Sequence, residues 1–244
     1  MPKSLVDNAY QQIKGWIIRY YLKPGTHLHV KDLSQVLGIS QTPVREALSM
    51  LEKENLIDRE PQKGFRVKSM SMQEIEDLYD LRIALEVLSA RQAAQRITLY
   101  DRKRLTGLLS KVGRFLESGN KQGILDLEQN FHTIILEASG NKPLAEMGRA
   151  ILDRIWIIQN INLLTTDHLS DAHPQHVKVF KAIQNGDSQK AGLLMASHLK
   201  SAKEFVISRL KRSDDILSNL MGFSLQNGEH PERVPRVQRG SSKR

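Results

Sequence analysis

The sequence predicts a mainly α protein, in which a small N-terminal winged helix precedes an all-helical antiparallel bundle. Three observations lead there. Residues 1–69 contain three short apolar-periodic segments followed by two strand-like runs around a Pro/Gly turn. From residue 70 onward the pattern is helical, and Pro143 is the only proline between there and residue 170. The charge is also uneven. The chain of 244 residues carries a net +9, and residues 1–69 hold eleven Lys or Arg against seven acids. A further five bases against two acids lie in 226–244, so the segment between is close to neutral.

Each element follows from local pattern. Val6, Ala9, Tyr10, Ile13, Trp16, Ile17 and Tyr20 recur at steps of three and four, a helix ended by Lys23, Pro24 and Gly25. Val30 to Leu37 is a second helix, stopped by Gly38 where a left-handed C-cap favours glycine. Ser40 then offers an N-cap and Pro43 sits in the first turn of a third helix, whose buried stripe is Val44, Ala47, Leu48 and Leu51 and which runs to about Asn55. Leu56–Arg59 and Phe65–Lys68 flank Pro61, Gln62, Lys63 and Gly64 as a hairpin. In the body, helices are expected over Gln73–Gln95, Asp101–Glu117, Gln122–Ala138, Pro143–Leu164, Gln175–Asn185 and Ser188 to about Leu210, extending toward Met221. The breaks fall at Gly119, at 140–143, at 171–174 and at 185–187. Three regions result: a winged helix over 1–69, a helical effector and dimerisation domain over 70–222, and a disordered basic tail over 223–244.

Composition removes several chemistries. With no cysteine, disulfides, thiolate zinc sites, iron-sulfur clusters and cysteine nucleophiles are excluded. The first residues form no continuous apolar stretch, and no window reaches the roughly 18 apolar residues of a membrane span, so a soluble, cytoplasmic protein is expected. The basic excess calls for an anionic partner.

The turn at 37–40 places the start of the third helix where side chains reach base edges in a DNA major groove. Gln41 suits adenine, Thr42 a thymine methyl or a phosphate, and Arg45 a guanine edge or a phosphate. Lys31 opens the preceding helix near the DNA backbone, while Lys63, Gly64 and Arg66 put charge and a closely approaching backbone on the wing. Taken singly, these residues fit a solvated basic face equally well. Together, Leu22–Leu28, Leu33–Gly38, the run Ser40–Gln41–Thr42–Pro43–Val44–Arg45–Glu46–Ala47–Leu48, Leu51 and Gly64–Val67 resemble the GntR family of bacterial transcription regulators. That resemblance covers the whole head. It implies operator contacts at Lys31, Ser40, Gln41, Thr42, Arg45, Lys63 and Gly64, with one departure: the family most often has arginine where Gln41 stands.

In the body, Glu128 and His132 are i and i+4 on one helix, about 6 Å apart at Cβ. His176 and His198 lie on two later helices. Three imidazoles and a carboxylate suit a divalent metal such as zinc, nickel or manganese, with positions left open for water or a ligand. Isolated histidines on helices are more commonly plain core or surface residues, and His168 and His173 are further loop candidates. The strings Leu78–Arg82 with Glu86, Glu128–His132 leading into Ala138–Pro143, His176 with Ala182, Ile183, Gly186 and Asp187, and Met195–Leu199 resemble the FCD effector domain of the FadR-type subfamily. The resemblance spans about residues 70–210. In similar metal-binding members an Asp and three His form the ligand set, which maps onto Glu128, His132, His176 and His198; Glu in place of Asp is the departure.

Arg82 follows the helical apolar residues Ile75, Leu78 and Tyr79. Facing inward, its planar fork would grip the carboxylate of a small organic acid effector; facing outward, it would form an ordinary i,i+4 pair with Glu86. The sequence thus points to a homodimeric regulator on a palindromic double-stranded operator, and not to an enzyme or a membrane protein; the resemblance implies that it is a repressor, and the sequence itself does not fix the sign of control. Some similar regulators bind their effector without a metal, so a metal-free effector-binding regulator is one alternative. Two readings of other classes also compete. A metal-dependent hydrolase could use the same three His and Glu, but no placed general base and no His-Glu-x-x-His string accompany them. A basic amphipathic membrane or helix binder would use Trp16 and the cationic tail as anchors.

Overall fold

The computed structural model describes residues 4–161, the backbone of 166–169, residues 170–212 and Met221. The expected tail over 223–244, the residues that would carry the last helix toward Met221 and the side chain of His168 lie outside the described residues; the backbone places both loop candidates, His168 and His173, within a helix rather than a loop. Contacts within the chain divide it into two compact units that part between Ser71 and Met72.

The first unit is three helices and a small sheet: α1 Leu5–Ile18, β1 His27–Leu28, α2 Val30–Leu37, α3 Gln41–Lys53, β2 Ile57–Glu60 and β3 Gly64–Val67. Ser4 caps α1 through a reciprocal capping box with Asp7. Ile13, Ile17, Val44, Ala47, Leu48 and Leu51 are fully buried where α1 crosses α3. Gly38 closes α2 at φ 66°, as its position before the turn predicts. The antiparallel sheet has the order β1-β3-β2. Its first strand, two residues long, pairs His27 with Arg66 and Leu28 with Phe65; it is too short to leave a period-2 signal. Trp16 packs inside this unit, which removes it as a membrane anchor.

Helix α1 stops at Ile18, six residues before Pro24. Tyr20 turns left-handed at φ 64°, and the Tyr21 and Leu22 amides both donate back to the Trp16 carbonyl. That closure drops Leu22 into the core. No glycine marks it, so the sequence points to the later Pro-Gly pair instead.

The second unit is all helical: α4 Met72–Arg96, α5 Leu99–Leu109, α6 Val112–Glu117, α7 Lys121–Ala138, α8 Lys142–Asn160, α9 Thr166–Gln184 and α10 Ser188–Lys211. Helix α4 packs along α10 and against α7, α8 and α9. Its core is a continuous apolar cluster that includes Ala90, Ala93, Leu105, Phe131, Ile135, Val179, Ile183, Met195 and Leu199. Two expectations are corrected here. The helix read over Asp101–Glu117 is broken by a tight turn at Ser110 and Lys111, whose amides donate to Thr106 and Leu108 without any proline or left-handed residue. Helix α9 begins at Thr166 and passes through Pro174 rather than starting after it. Ala172, His176, Val179, Phe180 and Ile183 are buried on one face at steps of three and four, and this packing carries the helix past the amide that Pro174 cannot supply.

Candidate functional site

The first unit presents a polar surface at the start of α3. Lys31, Ser40, Gln41, Thr42, Arg45 and Lys63 are exposed, while Gly64 and Arg66 are half-buried. Arg45 Nη2 reaches Gln41 Oε1 at 3.5 Å, one helical turn back, too long to hold either side chain firmly. Ser40 occupies the N-cap position of α3 but makes no side-chain capping bond. The residue at N3, where a capping oxygen would find its amide, is Pro43, which has no N–H. The Ser40 hydroxyl therefore stays on the surface. Arg66 is the more constrained wing cation: its Nη2 lies 2.9 Å from His27 Nε2 and its Nε 3.3 Å from Glu60 Oε1. Gly64 stands at φ 91° with the Leu28 carbonyl 3.4 Å from where a Cβ would be, so both the backbone conformation and the space favour glycine at the wing.

The second unit assembles a buried polar cluster from three helices. Glu128 and His132 come from α7, His176 from α9 and His198 from α10, and one ligand atom of each lies within 4.8 Å of the other three. The three histidines are buried, and the Glu128 side chain is 13% exposed. The rings of His132, His176 and His198 lie 4.4–5.4 Å apart at their centroids. Phe131 and Trp156 wall the cluster, at 4.2 Å from His176 and 6.0 Å from His132.

Its hydrogen bonds decide where the lone pairs go. Glu86 on α4 accepts from His132 Nδ1 at 2.5 Å and from Arg82 Nε at 2.6 Å. Burial on its own would raise the Glu86 carboxyl, but the His132 and Arg82 charges and their hydrogen bonds outweigh it and hold the group at about 2. Burial pushes the His132 imidazole down, against the pull of Glu86; because a carboxylate only accepts, the ring's proton in that bond sits on Nδ1, and a singly protonated ring has its lone pair on Nε2. Gln175 Oε1, which only accepts, lies 3.0 Å from His198 Nδ1; that nitrogen donates, leaving the lone pair on Nε2 of His198 as well. His176 Nε2 is 2.9 Å from His198 Nε2, and His176 Nδ1 is 3.2 Å from Glu128 Oε1. Burial works to raise the Glu128 carboxyl, and the facing His176, helped by His132 and Arg82, outweighs it and holds the group below the usual carboxylate value. Two imidazole nitrogens at hydrogen-bond distance need a cation between them, a proton or a metal. Ligand bonds of roughly 2.0–2.2 Å put two donors of one ion at most about 4.4 Å apart. The four groups thus fit a divalent ion with movements of a few tenths of an ångström.

Arg82 is inward-facing and almost fully buried, so the outward pair with Glu86 becomes a buried one. Its guanidinium lies 5.3 Å from the Trp156 ring centroid, the same indole that flanks His132. Its Nη1 and the nearby Tyr79 hydroxyl are buried and make no hydrogen bond of normal geometry, although Arg82 and Gln159 both face that hydroxyl and work to lower it against the larger effect of burial. His173, one turn before His176, is half-buried with an unpartnered Nδ1 and is not among the four converging groups. From sequence, Glu86 is a partner for Arg82 and, with Tyr79, part of the FCD-like string, while Trp156 and Gln175 carry no signal. Nothing in local spacing links Glu86 to a histidine 46 residues away.

Comparison with known proteins agrees with both units. Residues 5–67 match the model of bacterial regulatory proteins, gntR family, and residues 77–201, half of the chain, match the FCD domain. The HTH-type transcriptional repressor GlaR of Escherichia coli K12 is 32% identical over 202 residues, covering 79% of this chain and 91% of GlaR. The chain belongs to the GntR family. It is therefore a bacterial transcription regulator with an FCD effector domain, in a family whose members bind DNA operators. RspR, an HTH-type transcriptional repressor of the same organism, is 27% identical over 87% of this chain and 93% of RspR. Among solved structures, E. coli McbR/YncC superimposes with a TM-score of 0.77 at 23% identity, over 85% of this chain and 99% of that one, a likeness of fold. These relatives are regulators rather than enzymes, which sets aside the hydrolase reading. Among the described residues no helix is long and apolar enough to cross a membrane.

Proposed function

We propose that this GntR regulator is a repressor whose FCD domain holds a divalent metal on Glu128, His132, His176 and His198 and senses a small organic acid beside it. The observation that carries the reading is the convergence of three imidazoles and a carboxylate in a buried site, with the lone pairs of at least two histidines turned toward the others. Zinc, nickel and manganese all suit such a donor set. When bound, the ion supplies a Lewis-acidic contact for a carboxylate oxygen. Arg82 supplies the second grip, because Nη1 is the one buried donor of its guanidinium left without a partner. Tyr79, whose hydroxyl faces Arg82 and Gln159, lines the same side.

In this reading residues 1–69 are the DNA reader, with Lys31, Ser40, Gln41, Thr42, Arg45, Lys63, Gly64 and Arg66 at the operator. Residues 70–222 sense and dimerise, and 223–244 form a basic tail. A homodimer on a palindromic site follows from two heads meeting two-fold-related half-sites, and Leu81 and Leu88, two turns apart on α4, expose apolar area for it. Repression is favoured because GlaR and RspR are both named repressors. An effector acts only through its differential affinity for the DNA-competent and incompetent states.

The test is operator retention against a panel of two- to six-carbon mono- and dicarboxylates, with metal-loaded and chelator-stripped protein. At least one acid is expected to release the operator from the loaded protein and to lose that effect after stripping or in Arg82→Ala. An acid response that survives both treatments would contradict the proposal.

A further inference from the structure

The metal reading uses four side chains, yet the most tightly bonded group around the cluster is a fifth, Glu86. It is 1% exposed, and both carboxylate oxygens are committed, Oε1 to Arg82 and Oε2 to His132. A buried carboxylate is costly to keep ionised unless its partners are well placed. If Glu86 served only to neutralise Arg82 on its own helix, one oxygen would suffice, and the bond across to α7 would have no purpose. That bond has a definite effect on His132. By accepting the Nδ1 proton it fixes the tautomer and leaves Nε2 as the lone-pair nitrogen, in a ring stacked 5.4 Å from His198 and set edge-on 5.3 Å from His176. Gln175 does the same for His198 through its Nδ1. Ligating histidines commonly donate their second nitrogen to a carboxylate or carbonyl, which orients the ring and raises its basicity.

We infer that Glu86 is a positioning residue of the FCD site: held by Arg82, it locks His132 with Nε2 toward the other ligands and so sets metal affinity without being a ligand. The inference rests on the metal reading, and it makes Arg82 a participant twice, through Nε in orienting a ligand and through Nη1 in gripping an effector. An anion drawn to Arg82 would then be felt at His132 through a single carboxylate.

The experiment is a zinc titration of the full-length chain against a competing chelator, comparing wild type with Glu86→Gln, which keeps the size and one acceptor oxygen but loses the second. Affinity is expected to fall by about 10- to 100-fold, with stoichiometry unchanged. Equal affinity in the two proteins would overturn the role of Glu86 while leaving the metal reading intact; no zinc bound by wild type would overturn both. Because Glu86→Gln also weakens the hold on Arg82 and with it the fold, a second measurement needs no variant of Glu86. Imidazole ¹⁵N NMR of the metal-free wild type, with His132 assigned from the spectrum of His132→Gln, is expected to show the proton on Nδ1 and Nε2 unprotonated. A proton on Nε2 would overturn the inference.

Discussion

The surface at the start of α3 and the cluster between α4, α7, α9 and α10 are built on opposite principles. On α3 the candidate contacts are exposed and loosely bonded, with Arg45 and Gln41 at 3.5 Å and the Ser40 hydroxyl making no cap. In the cluster every key group is buried and tied to a residue far along the chain, Glu86 to His132 across 46 positions and His176 to His198 across 22. On the proposed function, the difference follows the ligand. A DNA backbone brings its own charge and register, and side chains that meet it can stay solvated until it arrives. A small ion or acid brings little area, so the protein must fix the donors beforehand. Substitutions in the cluster should therefore cost folding stability along with ligand affinity, whereas those on α3 should cost binding alone.

The largest expected effect is that of Arg82→Ala. Removing one partner of a buried pair leaves Glu86 charged and under-compensated, and urea unfolding of the metal-free protein should show a loss of about 3–5 kcal/mol. A loss under 1 kcal/mol would mean that water or another cation replaces the guanidinium. Arg45→Ala should leave stability within about 0.5 kcal/mol yet weaken operator binding by about 1–3 kcal/mol in a gel-shift titration; unchanged affinity would take Arg45 out of the interface. Capping gives a finer contrast within the head. Ser4→Ala breaks a capping box and should cost about 1 kcal/mol in thermal unfolding, whereas Ser40→Ala, with no cap bond to lose, should leave the melting temperature unchanged and lower only the operator affinity. The smallest effect belongs to Lys63→Ala, which should reduce the slope of log affinity against log salt by about one unit without altering sequence preference. An unaltered slope would put the wing away from the phosphates.

The same contrast explains what was legible in the sequence. Gly38 and the run Ser40–Leu48 encode the turn and α3 within a dozen residues, so the head could be read nearly element by element. Its misses were local closures without a marker residue, the left-handed Tyr20 and the two-residue strand His27–Leu28. In the body, Glu128 and His132 share a helical face by spacing, and the four cluster residues could be named together through a family resemblance. Their burial and their partners could not. Glu86 looks like an ordinary i,i+4 partner of Arg82 until α7 packs against α4, and Gln175 sits beside a proline that reads as a helix break. Long-range packing chose these roles, and no local period records it.

The central claim is that the FCD domain of this regulator is organised around a metal ion held by Glu128, His132, His176 and His198. Elemental analysis of the purified full-length protein tests it most directly, alongside a His132→Ala/His176→Ala double variant and with thermal stability followed before and after chelation. About one zinc, nickel or manganese ion per chain is expected, with a lower melting temperature after stripping and no metal in the double variant. Absence of metal from the wild type, or full metal content in the double variant, would contradict the claim.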